Sequence, residues 1–428
     1  MTKIISKDDV PSLLKPGMKV FLQGASGEPT VLTEAIAAKP ECAAGVHFVA
    51  VLVPSVNSVN PAGFEPTSEL TTTFVFGDIA TSFAKGQVHF APLHYSGTTE
   101  LVLSRAPYDA ALIQVSPPDG DGMCNLGISV DFIPAILDQT TTFIAEINKQ
   151  MPAVAGSPRI RFDDIAYAVE SDRPLLGLNT GEIPVQVAEI GQRVADLIDD
   201  GDCFQIGIGK LPAAILGKLF DKRDLGVHSG MISDEVMALT DAGVITSARK
   251  TIDQNLLVGG VAVGSPELYQ WCGQQKNLHF RPASYTHDPR IISQIDNFVS
   301  INSVLEVDLT GQANAEMING RQVSGTGGLV DFIRSARMGN NGRSVLALTA
   351  TAGKQKKSKI VPQLAQGATV SGLRADVDYV VTEYGAARMK DKDIDARADA
   401  LIAIADPDAR DDLANAWTDI RRKMGPAI

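Results

Sequence analysis

Two glycine-rich loops in this chain offer backbone N–H groups to an anion. Gly207-Ile208-Gly209 follows the apolar run Cys203 to Ile206 and precedes a helix-like stretch, Leu211 to Leu219. That order predicts a strand, a tight loop and a helix start able to cradle a phosphate or an oxyanion, although the same spacing also suits an ordinary tight turn. Ser324-Gly325-Thr326-Gly327-Gly328, just before Asp331-Phe332, is a second such loop. Neither has the GxGxxG spacing of a dinucleotide fold, and neither is followed by the lysine–serine pair of a P-loop. Anion binding of this kind suits a ligand whose pyrophosphate stays near the surface. Gly353-Lys354-Gln355-Lys356-Lys357 is a basic run in an acidic chain and reads equally as an anion contact or a solvated loop.

Groups that could move a proton are few and scattered. His228 follows a short apolar stretch, where an imidazole can donate to an oxyanion or act as a base, or can be an ordinary strand-end histidine. No serine–histidine–acid order and no Gly-x-Ser-x-Gly motif is present. His47, His89, His94, His279 and His287 have no ligand spacing among themselves, and Cys42, Cys124, Cys203 and Cys272 form no CxxC pair. The expectation is therefore no metal site and reduced thiols.

The elements that must position these residues read as two related halves. Gly17 to Ala35 and Gly201 to Leu219 align without gaps across their loops, Gly24 matching Gly207 and Pro29 matching Pro212. Each copy has an apolar strand before its loop and an amphipathic helix after it, which suggests an internal duplication. Apolar runs at Val46 to Val53, Ala110 to Val115, Thr142 to Ile147, Ser300 to Val307, Ser344 to Leu348 and Tyr379 to Val381 read as buried parallel strands. The fold class is α/β: two similar open, mostly parallel-sheet domains with flanking helices. A boundary in Leu176 to Val185 gives domains at 1–182 and 183–428, and Ala396 to Lys423 reads as one closing helical stretch. The formal charge of −12 over 428 residues is spread rather than blocked, which argues against nucleic acid or an anionic membrane as partner. The amino-terminal segment lacks a signal pattern and no 18-residue apolar run occurs, so a cytoplasmic protein is expected.

Further motifs run in order along nearly the whole chain: Ser116-Pro117-Pro118-Asp119 leading to Asn125-Leu126-Gly127, then Ala145-Glu146-Ile147-Asn148 with Met151-Pro152. Ile301-Asn302-Ser303 through Val307-Asp308-Leu309-Thr310-Gly311-Gln312 follows, and then Val380-Val381-Thr382-Glu383-Tyr384-Gly385. Together with the two glycine loops they resemble the family I coenzyme A transferases, in the branch holding 4-hydroxybutyrate CoA-transferase and the acetyl-CoA hydrolase/transferase proteins. The resemblance implies a NagB/CoA-transferase-like fold with the active site between the halves. It also implies coenzyme A contacts from Gly207, Ile208, Gly209, Asn302, Gly325, Thr326, Gly327, Gly328 and a lysine of the basic run, taken as Lys356. Acyl-CoA and a small carboxylate are the implied substrates, with no permanently bound cofactor, and a homo-oligomer, dimer or tetramer, is the implied assembly.

One departure bears on the chemistry. Where the family reads HTEM or HSEM followed by ISDG, and the glutamate is the covalent nucleophile, Leu225 to Glu235 reads LGVHSGMISDE. Gly230 has no side chain with which to attack a thioester. Glu235 falls at the position of the family's ISDG glycine. If Ser233 caps a helix, Glu235 lies in its first turn, and five helical residues rise about 7.5 Å and turn it away. Glu28 lies in a GEP segment that relatives direct at the acyl pocket, and it also suits a plain helix start. Glu383 suits a substrate-orienting acid or a structural carboxylate at a strand end. The resulting expectation is a CoA-transferase-like protein acting on short or medium acyl-CoA with its usual nucleophile replaced. The alternatives are an acyl-CoA hydrolase, with Glu28 or Glu383 positioning water, and a non-catalytic coenzyme A binder. Gly230→Glu is expected to raise transferase activity unless Gly230 holds a positive φ.

Overall fold

The computed structural model describes residues 1–425. Its amino-terminal half is built on eight parallel strands in the order Lys3–Ile4, Ile165–Ser171, Phe143–Asn148, Ala110–Val115, Lys19–Leu22, His47–Ala50, Glu69–Thr72 and Val88–Phe90. The central strands Ala110–Val115 and Phe143–Asn148 are buried at every residue. Helices and loops cover both faces of a parallel sheet, which is why these strands are continuous apolar runs rather than alternating ones.

The carboxy-terminal half repeats the plan. Tyr379–Thr382, Arg343–Ala347, Phe298–Ser303, Cys203–Ile206 and Gly226–Val227 lie side by side and parallel. A parallel bridge from His228 to Val258 carries the order on to Leu257–Gly259, which pairs with Leu278–Phe280. Starting from Ile165–Ser171, the same succession of neighbours occurs in the first half, with Lys19–Leu22 standing where Cys203–Ile206 stands. The duplication expected from the Gly24/Pro29 and Gly207/Pro212 match is thus visible in strand order. The antiparallel edge strand Gly385–Arg388 is particular to the second sheet.

The halves share one buried apolar cluster, in which Phe21, Val49 and Tyr108 join Phe204, Leu225 and Phe280. Hydrogen bonds stitch them directly: Ser26 Oγ donates to the Ala262 carbonyl (2.7 Å), and Ala262 N donates to the Ile128 carbonyl (2.8 Å). The boundary expected in Leu176 to Val185 falls in residues 172–184, which carry no regular element, and reaches the first residue of the helix Val185–Ala195. Two expected elements are broken in the structure. The run Ser300 to Val307 divides into Phe298–Ser303 and Glu306–Asp308, which belong to different sheets. The closing helical stretch divides into Ile394–Ala403 and Arg410–Lys423 around Ala405-Asp406-Pro407, because the ring of Pro407 cannot continue the helix before it. Among the described residues no helix is long and apolar enough to cross a membrane.

Candidate active site

The carboxyl ends of strands from both sheets meet at one cleft, the usual place for a ligand in open parallel sheets. Gly207 and Ile208 follow Cys203–Ile206, Asn302 and Ser303 end Phe298–Ser303, and Val53, Pro54 and Phe74 lie just beyond two strands of the first sheet. These residues line a cavity of about 300 Å³ together with Gly230, Tyr95, His287 and Ser324 to Gly328. Both glycine loops predicted from sequence therefore reach a single space.

Each loop has its own reason for glycine. Gly209 has φ +104°, a conformation that side chains rarely adopt, whereas a side chain on Gly207 would touch no protein atom within 4 Å. The space over Gly207 is open to a ligand. The second loop docks on the first half: Tyr95 N donates to the Gly327 carbonyl (2.9 Å), and Val75 N donates to the Ser324 carbonyl (3.4 Å). A side chain on Gly325 would collide with the Thr73 carbonyl, so glycine there permits this docking. Asn302 Nδ2 donates to Gln205 Oε1 (3.1 Å) and Ser300 Oγ (2.9 Å), which fixes the amide at the cavity wall.

Gly230 lines the cavity, and its carbonyl accepts from Gly260 N and Val261 N, both at 3.1 Å. It has no left-handed φ, so its backbone does not demand glycine. What stands against it is an imidazole: a side-chain carbon on Gly230 would lie 2.8 Å from both Cε1 and Nε2 of His287. The buried His287 ring packs on Tyr95 (centroids 4.3 Å apart) and Phe332 (4.8 Å). Burial lowers its pKa to about 3, so the ring is neutral near pH 7. Tyr95 in turn donates its hydroxyl to Asp131 Oδ2 (2.9 Å). Burial raises the Asp131 carboxyl to about 7, and its backbone is left-handed at φ +27°.

None of the carboxylates proposed to replace the nucleophile lines this cavity. Glu28 is buried, accepting from Asn57 Nδ2 (2.8 Å) and Thr33 Oγ1 (3.2 Å), and faces a separate cavity with Glu34 and Arg173. Burial raises its pKa. Glu235 lies in the first turn of the helix Asp234–Asp241 and accepts from Ser233 Oγ (2.7 Å), facing an open groove beside Gly177 to Glu182. Ser233 precedes that helix without capping it through its side chain. Glu383 accepts from Ala350 N (2.8 Å), a structural bond at a strand end. His228 is fully buried beside Tyr285, its two ring nitrogens have no partner among the described residues, and it does not reach the cavity. Lys356 is exposed in the turn between Thr351–Ala352 and Lys357–Ser358, away from the cavity lining.

Sequence reasoning missed His287, Tyr95 and Asp131, which come from separate loops and share no motif. It also missed a cluster at the opposite, amino-terminal ends of the first sheet's strands. His47, Glu69 and His89 stand on adjacent strands, where Glu69 Oε2 lies 3.4 Å from His47 Nδ1 and 3.2 Å from His89 Nε2. Their ligand-capable atoms lie within 4.8 Å of one another, a grouping that spacing along the chain does not reveal.

Residues 1–176 match the acetyl-CoA hydrolase/transferase N-terminal domain, and residues 264–417 match the corresponding C-terminal domain. The chain belongs to the acetyl-CoA hydrolase/transferase family. It is 37% identical to the 4-hydroxybutyrate coenzyme A transferase of Clostridium kluyveri, with 96% of each chain covered. Identity to the succinyl-CoA:cyclohexane-1-carboxylate CoA transferase of Geobacter metallireducens is 32%, covering 97% of this chain and 94% of that one. Among solved structures, RipA from Yersinia pestis superposes with a TM-score of 0.91 at 30% identity, covering 98% of each chain. The 4-hydroxybutyrate CoA-transferase from Porphyromonas gingivalis gives 0.80 at 33%, covering 99% and 98%. Coenzyme A transferases and acetyl-CoA hydrolases thus both occur among the relatives of this family member.

Proposed function

We propose that this protein binds the thioester end of a short acyl-CoA in the cleft between its halves and hydrolyses it by direct attack of water, without an acyl-enzyme intermediate on a carboxylate. The observation that carries this reading is the composition of the cavity wall. It contains no aspartate, glutamate, cysteine or lysine among the described residues, and the room beside Gly230 is filled by the His287 ring. Ser303, Ser324 and Thr326 supply hydroxyls to the wall, but none is hydrogen-bonded to an imidazole or carboxylate that would activate it. The relatives that act on coenzyme A esters of acetate, butyrate or succinate support a short acyl group, as does the modest cavity.

Thiol release from acetyl-CoA, propionyl-CoA and butyryl-CoA, measured with and without a panel of short carboxylates, tests the reading. Release that needs no carboxylate supports hydrolysis. Release only with a carboxylate present, together with a glutamyl adduct in peptide mass spectra, contradicts it. Coenzyme A binding by calorimetry without any turnover contradicts it in favour of a binding protein.

A further inference from the structure

We propose that His287 is the catalytic base of this cleft, and that positions 230 and 328 are glycine because they flank its imidazole. The inference rests on the reading of the cleft as a site of thioester hydrolysis. Its starting point is steric. A side-chain carbon on Gly328 would lie 2.6 Å from His287 Cδ2 and 2.8 Å from Nε2, and one on Gly230 would lie 2.8 Å from Cε1 and Nε2. Separations below about 3 Å are repulsive for non-bonded carbon. Gly328 has φ −83°, and Gly230 is likewise outside the left-handed region, so neither glycine is required by its own backbone. At both positions the imidazole between them stands in the way of a side chain, and at 328 the Phe332 ring does so too, with Cε2 2.8 Å from the added carbon. The missing carboxylate at 230 and the imidazole at 287 are therefore two sides of one arrangement, in which the histidine occupies the room into which a side chain at 230 would extend.

Hydrogen bonding orients the ring for the task. His287 Nδ1 lies 2.9 Å from Thr286 Oγ1, and that hydroxyl lies 3.4 Å from the Pro282 carbonyl. With the threonine donating to the carbonyl, its oxygen accepts from Nδ1–H, and the lone pair is left on Nε2, the nitrogen wedged between the two glycines at the cavity wall. Tyr95 and Phe332 pack on the ring from two sides and hold its plane. The hydrolytic step then balances simply. A water oxygen bonds to the thioester carbonyl carbon while its proton passes to Nε2; the carbon–sulfur bond breaks, and the departing sulfur takes that proton back from Nε2. The products are the free acid and the coenzyme A thiol, and the imidazole is returned neutral.

The test uses the full-length protein with the acyl-CoA that it hydrolyses fastest. His287→Gln keeps the size and polarity of the side chain but cannot accept the proton in this way. With coenzyme A affinity and KM nearly unchanged, its kcat is expected to fall about 100-fold, the lower end of the range for a lost general base, because burial keeps the ring neutral but also lowers its basicity. His287→Ala opens a slot between the two glycines, and added imidazole should restore part of its rate while leaving His287→Gln unaffected. Gly230→Ala removes no functional group, yet should displace the ring and lower kcat. A folded His287→Gln protein with wild-type kcat overturns the assignment of the base, and undiminished kcat in folded Gly230→Ala overturns the account of the glycines. Absence of hydrolysis in the wild type, with coenzyme A still bound, refutes the underlying reading instead, and the base with it.

Discussion

At the scale of single residues, the decisive pair is Gly230 and His287. Sequence alone pointed to Gly230, because the surrounding motifs make an absent side chain conspicuous. It left His287 among histidines without ligand spacing, since a contact between two distant loops leaves no periodicity in the chain. The pair changes what Gly230→Glu should do. The φ at 230 is no obstacle, but the new side chain meets the imidazole at 2.8 Å from its first carbon. Gly230→Glu alone should lose about 1–3 kcal/mol of stability through overpacking and gain no transferase activity. Gly230→Glu combined with His287→Ala should recover stability and show acyl-CoA:carboxylate transfer, read by thermal melts and an acceptor panel. Transfer by the single variant would show that the ring moves aside freely. Asp131 gives a second test. Its folded pKa is raised from 3.8 to about 7, so the stability it contributes is full below about pH 4 and is lost as pH rises through 7. Relative to Asp131→Asn, the wild type should therefore weaken between pH 4 and 7, by at most about 1.4 kcal/mol per pH unit. Parallel denaturation curves for the two proteins across that range would contradict the raised value.

At the scale of elements, the glycine loops separate packing from ligand binding. Gly325→Ala should both destabilise the protein and weaken coenzyme A binding, because the added carbon meets the Thr73 carbonyl on which the loop docks. Gly207→Ala meets no protein atom within 4 Å, so its melting temperature should stay near wild type while coenzyme A affinity falls. Equal binding by Gly207→Ala and wild type, measured by calorimetry, would remove that loop from the ligand site. The loops were legible in sequence because glycine clusters after strands are local signals, and so were the buried strands, whose apolar runs need no tertiary information. The placement of Ala110–Val115 agrees at both ends with the expected run. What was not legible depended on neighbours. The chain leaves its sheet after Phe298–Ser303 and enters another at Glu306–Asp308, although Val304 and Leu305 between them make the two read as one run. The position of Glu28 in its loop suits an acyl contact, but Asn57 and Thr33, from outside that loop, hold its carboxylate by hydrogen bonds that no local pattern reveals.

At the scale of the whole molecule, duplication supplies two parallel sheets whose carboxyl ends meet across a shared core, and the cleft exists only while both halves are in place. A ligand that touches both should bind the folded state alone and raise its melting temperature, by roughly 2.7 kcal/mol of stabilisation at 100 times the dissociation constant. Millimolar coenzyme A should produce that shift, and its absence would exclude the cleft as the coenzyme A site. The family resemblance also leads us to propose a homo-oligomer, which sedimentation at the monomer mass of 45.4 kDa would refute. The most direct measurement of the central claim is a single turnover of acyl-CoA by excess enzyme in ¹⁸O-labelled water. Direct attack by water predicts one ¹⁸O atom in the released acid and no label or acyl adduct on any peptide of the enzyme. Label or acyl mass recovered on an enzyme carboxylate would contradict it.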